Sequence, residues 1–196
     1  RIMSDEYSSA VSTAREYYNS TDADRFYFGV WGGEDIHIGL YESDRESIFD
    51  ASRRTVAHMC DILGGLSPEQ KVIDLGGGYG GAARYIAATF GSHVVVLNLS
   101  EVENDRDRQM NREMGYEDKI DVIDGSFESV PYDDNSFDIV WSQDSFLHSG
   151  DRESAIREAA RILKPGGRFI FTDPMQADDC PEGVLQPILN RLHLET

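Results

Sequence analysis

At 196 residues, 40% of them apolar, the chain is long enough for one domain with a real hydrophobic core. Its 36 acidic residues outnumber 18 basic ones, and a net charge of −18 repels phosphate backbones, which argues against nucleic acid as a partner. No apolar run reaches the roughly 18 residues of a membrane span, so no membrane partner is expected. Cys60 and Cys180 stand far apart and suggest neither a disulfide framework nor a zinc site. The opening Arg1 to Tyr7 lacks the apolar stretch of a secretory signal, and the expected compartment is a reducing cytoplasm. Only Lys71, Lys119 and Lys164 are lysines, so 18 less 3 leaves 15 arginines. Many carboxylates with few lysines suit a cytoplasm rich in salt, where screening reduces self-repulsion.

In chain order, Tyr7, Val11, Ala14, Tyr17 and Tyr18 recur at helical spacing and predict a helix over 5–18. An aromatic-rich loop follows. Ser43 and Glu46 have the spacing of a capping box, predicting a helix over about 44–63 that Gly64-Gly65 ends. Strands are predicted at 71–75, 93–98, 119–124, 137–142 and 167–173. Helices are predicted at 79–90, from the Ser100/Glu103 capping box to about Met114, and from Asp151 to Leu163. Alternating strands and helices predict an α/β fold, a Rossmann-like doubly wound parallel sheet. The expected divisions are a helical N-terminal lid over 1–66, an α/β core over 67–175, and the start of a C-terminal extension over 176–196.

Asp74-Leu75-Gly76-Gly77-Gly78-Tyr79-Gly80-Gly81 joins the first predicted strand to its helix. Gly76, Gly78 and Gly81 formally satisfy the dinucleotide fingerprint, a weak signal by itself. Two features argue against a nicotinamide dinucleotide. Asp74 would repel a pyrophosphate but attract an ammonium. The second strand ends in Asn98, where dinucleotide enzymes usually place an acid for the ribose, although Asn can still bond hydroxyls.

The blocks VIDLGGGYGG (72–81), LNLSEVEN (97–104), GSFESVPY (125–132), FDIVWSQDSFLHS (137–149), ILKPGG (162–167) and TDPM (172–175) occur in order. Together they resemble a class I S-adenosylmethionine-dependent methyltransferase. More narrowly, and with YYNSTDADRFYFGVWGGEDIHIGLY (17–41), they resemble the sarcosine/dimethylglycine N-methyltransferases of glycine betaine synthesis. The resemblance implies S-adenosylmethionine as cofactor, S-adenosylhomocysteine as its product, and no metal. It places Gly76 and Gly78 under the methionine part with Asp74 beside it, and Asn98 and Leu99 at the ribose. Ser126 and Phe127 flank the adenine, Gln143 closes the cofactor at the fourth strand's end, and His37 and Gly39 fold over the methionine. His148 matches a histidine near the acceptor in phosphoethanolamine methyltransferases, which pair it with an N-terminal tyrosine. Ser20 falls near that tyrosine's position here, and Tyr18 lies two residues earlier. The class usually continues into two more strands after the TDPM region, so the sheet is expected to lack them.

The implied reaction is in-line attack of an amine on a sulfonium methyl, catalysed largely by positioning. The acceptor must first lose its proton, either to water or to His148 as a base. With an ordinary pKa of about 6.5, the histidine would leave a signature between about pH 6 and 9. Aromatic faces attract cations, so Tyr17, Tyr18, Tyr27 and Trp31 could face the ammonium, though such stripes also serve as core. Arg25 or Arg45 could bind an acceptor carboxylate, and spacing selects neither. The expected partner is a small amine or amino acid, the expected assembly a monomer or small homo-oligomer. Two other readings remain open. One is methyl transfer to another acceptor, a phosphoethanolamine-type amine or a lipid. The other is a non-catalytic module binding S-adenosylmethionine or NAD.

Overall fold

The computed structural model describes residues 9–20, 29, 33–181 and 183–187. In chain order the elements are α1 (Ser9–Tyr18), α2 (Ile48–Ile62), β1 (Lys71–Leu75), α3 (Gly81–Phe90) and β2 (His93–Asn98). Next come α4 (Glu101–Met114), β3 (Ile120–Asp124), β4 (Phe137–Gln143), α5 (Arg152–Ile162) and β5 (Leu163–Thr172). The strands form one sheet in the order β3-β2-β1-β4-β5, and every neighbouring pair is parallel. Strand order reverses between β1 and β4, and in such sheets ligands bind at that switch point, beyond the carboxyl ends of the strands.

Successive strand side chains point to opposite faces, and both faces are covered. Val72, Val94, Val96, Ile139 and Trp141 face α2 and α3, which contribute Val56, Met59, Cys60, Ala83 and Ile86. Ile73, Leu75, Val95, Leu97 and Val140 face α5 with its Ala155, Ala159 and Ile162. Coverage on both sides explains why the central strands read as continuous apolar runs rather than alternating ones.

One predicted boundary moves. The Ser43–Glu46 pair forms a turn, and α2 begins only after Ser47, whose hydroxyl accepts from Asp50 N–H at 3.1 Å. Glu46 is engaged elsewhere: its carboxylate takes the Glu42 N–H at 2.8 Å and pairs with Arg54. The second capping box does cap α4, with Ser100 accepting from Glu103 N–H. The KPGG stop also departs from expectation. It bulges within β5, which resumes pairing at Arg168 opposite Ile139.

Among the described residues no helix is long and apolar enough to cross a membrane, and no cluster of three metal-ligating side chains occurs. The charge imbalance bears on stability. If like-charge repulsion opposes the folded state, the thermal midpoint should rise from low to molar potassium chloride as the repulsion is screened. A flat or falling curve would show that the acidity carries no such penalty.

Candidate active site

The chain leaves β1 through the glycine loop, β2 through Asn98-Leu99-Ser100, β3 through Ser126-Phe127 and β4 through Gln143–His148. These exits enclose an open cleft at the switch point. Gly76, Gly78, Asn98, Leu99, Ser126, Phe127, Gln143 and His148 all line it. Helix α1 crosses the opening and adds Val11, Ala14, Arg15 and Tyr18 from one face.

Asp74 and His37 lie in a smaller cavity that shares Ile36, Gly76 and Gln143 with the cleft. Asp74 alternates with Ile73 and Leu75, so it points to the α2/α3 face and is almost fully buried. Burial, reinforced by the charges of Asp107 and Asp35, pushes its carboxyl up to about 8. It is therefore protonated at neutral pH until a cation reaches it. Asp35, buried against the start of α3, lies 2.7 Å from Arg53 Nη2 and 3.8 Å from His37 Nε2.

The segment after Asp35 is fastened to α2 through its backbone. Ser52 Oγ donates to His37 O at 3.0 Å, Thr55 Oγ1 to Ile38 O at 3.0 Å, and Leu40 N–H donates to Ala51 O at 3.0 Å. Gly39 lines neither cavity. Its Cα lies against α2, where a Cβ would stand 2.6 Å from Ala51 Cβ, so the glycine is needed for packing. Trp31 and Tyr27 lie outside the described residues. Gly80 shows a second close approach. It has φ +75°, and a Cβ there would collide with the Asp107 carboxylate, so it positions α3 and α4 rather than a ligand.

The structure adds residues that sequence patterns did not single out for the site. Glu103 is buried in the cleft wall, where its carboxylate accepts from Asn98 Nδ2 at 2.9 Å. The acid usually found at the end of the second strand is thus supplied five residues later, from the first turn of α4. The one available signal was its place in the capping box. Ser145 Oγ donates to the carbonyls of Gly76 and Gln143 at 3.1 and 2.9 Å, tying the β1 and β4 exits together. Asp144 adopts φ +49° and accepts from Ile38 N–H at 2.6 Å and from Thr172 Oγ1 at 2.9 Å. It holds the N-terminal segment to the sheet's edge.

Tyr18 Oη lies 2.9 Å from His148 Nε2, and the rings meet edge to face with centroids 5.4 Å apart. The tyrosine two residues before Ser20 therefore meets the histidine. Burial alone pulls the His148 imidazole down to about 4, so it is neutral at physiological pH. The sequence-based expectation of a group titrating between pH 6 and 9 does not survive this: desolvation penalises the imidazolium.

An adenosyl amino acid fits these donors. Glu103 and Asn98 can receive ribose hydroxyls, and Phe127, edge to face with Phe146 at 5.2 Å, offers an apolar ring beside Leu99. Asp74 can receive an ammonium. Gln143 Nε2 is a buried donor without a hydrogen-bond partner, while its Oε1 is taken by Trp141 Nε1 at 2.9 Å.

A parallel sheet with a glycine loop after β1, an acid behind that loop and a cleft at the switch point defines a Rossmann-like domain of the class I methyltransferase type. The chain belongs to the methyltransferase-domain family, whose model matches residues 73–171. It is 65% identical over 187 residues to the sarcosine/dimethylglycine N-methyltransferase of Halorhodospira halochloris, covering 95% of this chain and 67% of that protein. It is 59% identical over 192 residues to the glycine/sarcosine/dimethylglycine N-methyltransferase of Actinopolyspora halophila, covering 98% of this chain and 34% of that protein. A crystal structure from Galdieria sulphuraria, described as a sarcosine dimethylglycine methyltransferase, superposes with a TM-score of 0.83 at 47% identity, covering 91% of this chain and 68% of that one. The chain thus spans between a third and about two thirds of the length of these relatives.

Proposed function

We propose that this protein transfers a methyl group from S-adenosylmethionine to the nitrogen of sarcosine or dimethylglycine, towards glycine betaine. The observation that carries methyl transfer to an amine nitrogen is the Tyr18–His148 pair in the wall of a cleft whose other end offers Glu103, Asn98 and Asp74. Identity of 54–65% over most of the chain to four proteins named for these acceptors, one of them for dimethylglycine alone, supports it. S-Adenosylmethionine supplies an electrophilic methyl on a positively charged sulfur.

The chain's own residues do the rest. His148, held neutral, accepts the Tyr18 hydroxyl proton in a hydrogen bond and fixes the orientation of the phenol oxygen. Once the acceptor's ammonium has lost its proton to water, that oxygen keeps a lone pair for sarcosine's remaining N–H and turns the nitrogen's own lone pair towards the methyl. Dimethylglycine has no N–H left and meets the same oxygen through its N-methyl C–H groups. The N–C bond forms as the S–C bond breaks. When sarcosine is the acceptor the new ammonium loses a proton to water. Helix α1 acts as a lid, with the 33–42 segment fastened by Asp144 and α2 behind it. In solution the product, a compatible solute, would suit the salt-rich interior that the acidic composition favours.

The test is calorimetry with S-adenosylhomocysteine followed by product analysis with glycine, sarcosine, dimethylglycine and phosphoethanolamine as competing acceptors. Methylation of phosphoethanolamine alone would remove the betaine reading and leave methyl transfer standing. Asp74→Ala is expected to weaken binding by about 1–3 kcal/mol. The pH dependence has a definite sign. Asp74's folded-state value of about 8 lies above its ordinary 3.8, so the native state binds the extra proton between them. Stability from this group is full below about pH 4 and is lost as pH rises towards 8. A bound ammonium favours the carboxylate, so binding should release a proton and strengthen from pH 5.5 to 7.5. Titrations in two buffers of different ionisation enthalpy would measure that proton, and Asp74→Asn should abolish it. Unaltered affinity in folded Asp74→Ala would take Asp74 out of the site.

A further inference from the structure

The proposed acceptors carry a carboxylate as well as an amine, and a buried carboxylate needs a cationic or strong hydrogen-bonding partner. Among the described residues lining the cleft, Arg15 is the only arginine or lysine. The other side chains there include the acidic Glu103 and Asp144, which offer an anion no cationic partner, and the neutral His148. Arg15 lies three residues before Tyr18 on the face of α1 that looks into the cleft. Side chains at that spacing are neighbours, about 5–6 Å apart at Cβ. A glycine derivative has its nitrogen and carboxylate separated by a single methylene, so one such molecule can meet both side chains.

Arg15 is paired to the Glu101 carboxylate, with its Nε 3.2 Å from Oε2. That pair is two-pronged, Nη2 also meeting Oε1, and it lowers the Glu101 carboxyl to about 2, yet solvent reaches both partners. Both side chains are about 40% exposed (43% and 42%), and solvent-exposed ion pairs contribute little. Glu101 also receives Asn19 Nδ2 at 2.8 Å and sits at the first turn of α4, so it keeps favourable contacts when the guanidinium turns away. Arginine's planar fork can also grip a second carboxylate while holding the first.

We propose that Arg15 binds the acceptor's carboxylate and so selects glycine derivatives over amines that lack one. This rests on the acceptor reading above. The experiment measures steady-state kinetics with dimethylglycine, and S-adenosylhomocysteine affinity by calorimetry, on the full chain with Arg15→Gln and Arg15→Lys. Arg15→Gln should raise KM for dimethylglycine about 10- to 100-fold, the scale of a lost charge-assisted contact. Its kcat and its affinity for S-adenosylhomocysteine should stay within about threefold of wild type. Arg15→Lys should recover part of the KM, because it keeps the charge and loses the fork.

An unchanged KM overturns the proposal. So does an equal loss of S-adenosylhomocysteine affinity, which would assign Arg15 to the cofactor. If Arg15→Gln fails to fold by circular dichroism, Arg15→Lys decides: a raised KM with intact S-adenosylhomocysteine affinity supports the role, and a wild-type KM refutes it. A wild-type protein that binds S-adenosylhomocysteine yet methylates neither sarcosine nor dimethylglycine defeats the acceptor reading, and the carboxylate role with it. That failure needs no substitution and is thus distinguishable from failure of Arg15 alone.

Discussion

Replacing His148 by alanine should lower kcat at least about 100-fold while leaving S-adenosylhomocysteine affinity near wild type. This is the scale on which a misplaced reacting group slows an enzyme, about 100-fold for a shift of about 1 Å. The reason is geometric. Without the imidazole, the Tyr18 hydroxyl loses its 2.9 Å partner and can rotate, so the acceptor's nitrogen is no longer aimed. Tyr18→Phe removes the oxygen and should cost about as much, and the double substitution little more than either single one, since the two act as a unit. With S-adenosylmethionine saturating, so that Asp74's effect on binding does not enter, the pH profile of the wild-type kcat should carry no inflection near the ordinary histidine value. The folded-state value of about 4 keeps His148 neutral over the working range, and the rate should rise towards alkaline pH only as the acceptor amine loses its proton. The sign for stability follows. A histidine depressed in the fold binds fewer protons there than when unfolded, so stability falls as pH drops from about 6.5 towards 4. An inflection near 6.5 that vanishes in His148→Ala would show that the imidazole titrates during turnover and would refute this account.

The largest effect on stability is expected at Arg84. Its guanidinium is almost fully buried between α3 and α4. It donates to Asp107 Oδ1 at 2.6 Å, Asn111 Oδ1 at 2.9 Å and Glu34 Oε2 at 2.6 Å, and also to the Tyr79 carbonyl. Arg84→Met would strand the Asp107 carboxylate and leave Glu34 with Arg53 alone, 2.9 Å away, and breaking a buried pair from one side costs about 3–5 kcal/mol. For a domain of this size that is roughly 6–20 °C in thermal midpoint. Burial already lifts the Asp107 carboxyl to about 6 against the pull of Arg84. In the variant it should protonate at still higher pH, so the deficit should be full at alkaline pH, shrink as pH falls from that higher value towards about 6, and level off below it. Urea denaturation of both proteins at pH 8 and pH 5 would measure this. A loss under about 1 kcal/mol at pH 8 would mean that water reaches the site and solvates the stranded acids. Gly80 packs against Asp107 and Asp74 feels its charge, so the stability of the glycine loop and the affinity of the cleft should fall together.

The elements of the sheet could be read from the chain because their causes are local. Val72–Leu75 and Val94–Leu97 are short apolar runs bounded by turn residues, and Ser100 lies three residues before Glu103 at a true helix start. Such patterns depend on neighbours a few residues apart. The exits of those strands line the cleft because parallel sheets bring their carboxyl ends together, which made Gly76 and Asn98 legible; Phe127 and Gln143 could be named beforehand only through the family resemblance. The Ser43–Glu46 pair shows the limit of that reasoning: Arg54, eight residues on, claims the glutamate and moves the start of α2.

Contacts across long separations belonged to the tertiary structure alone. Tyr18 and His148 are 130 residues apart, and Arg15 and Glu101 are 86 apart. No periodicity encodes either distance. The direction of Asp74 is decided by strand alternation combined with which helices cover that face, and this turns a solvent-ready acid into a buried one that holds its proton to about 8. Glu103 replaces the acid missing at position 98 because α4 turns it back onto the end of β2. Sequence fixes such matters only through the packed whole, since burial and charge depend on what the rest of the chain brings alongside.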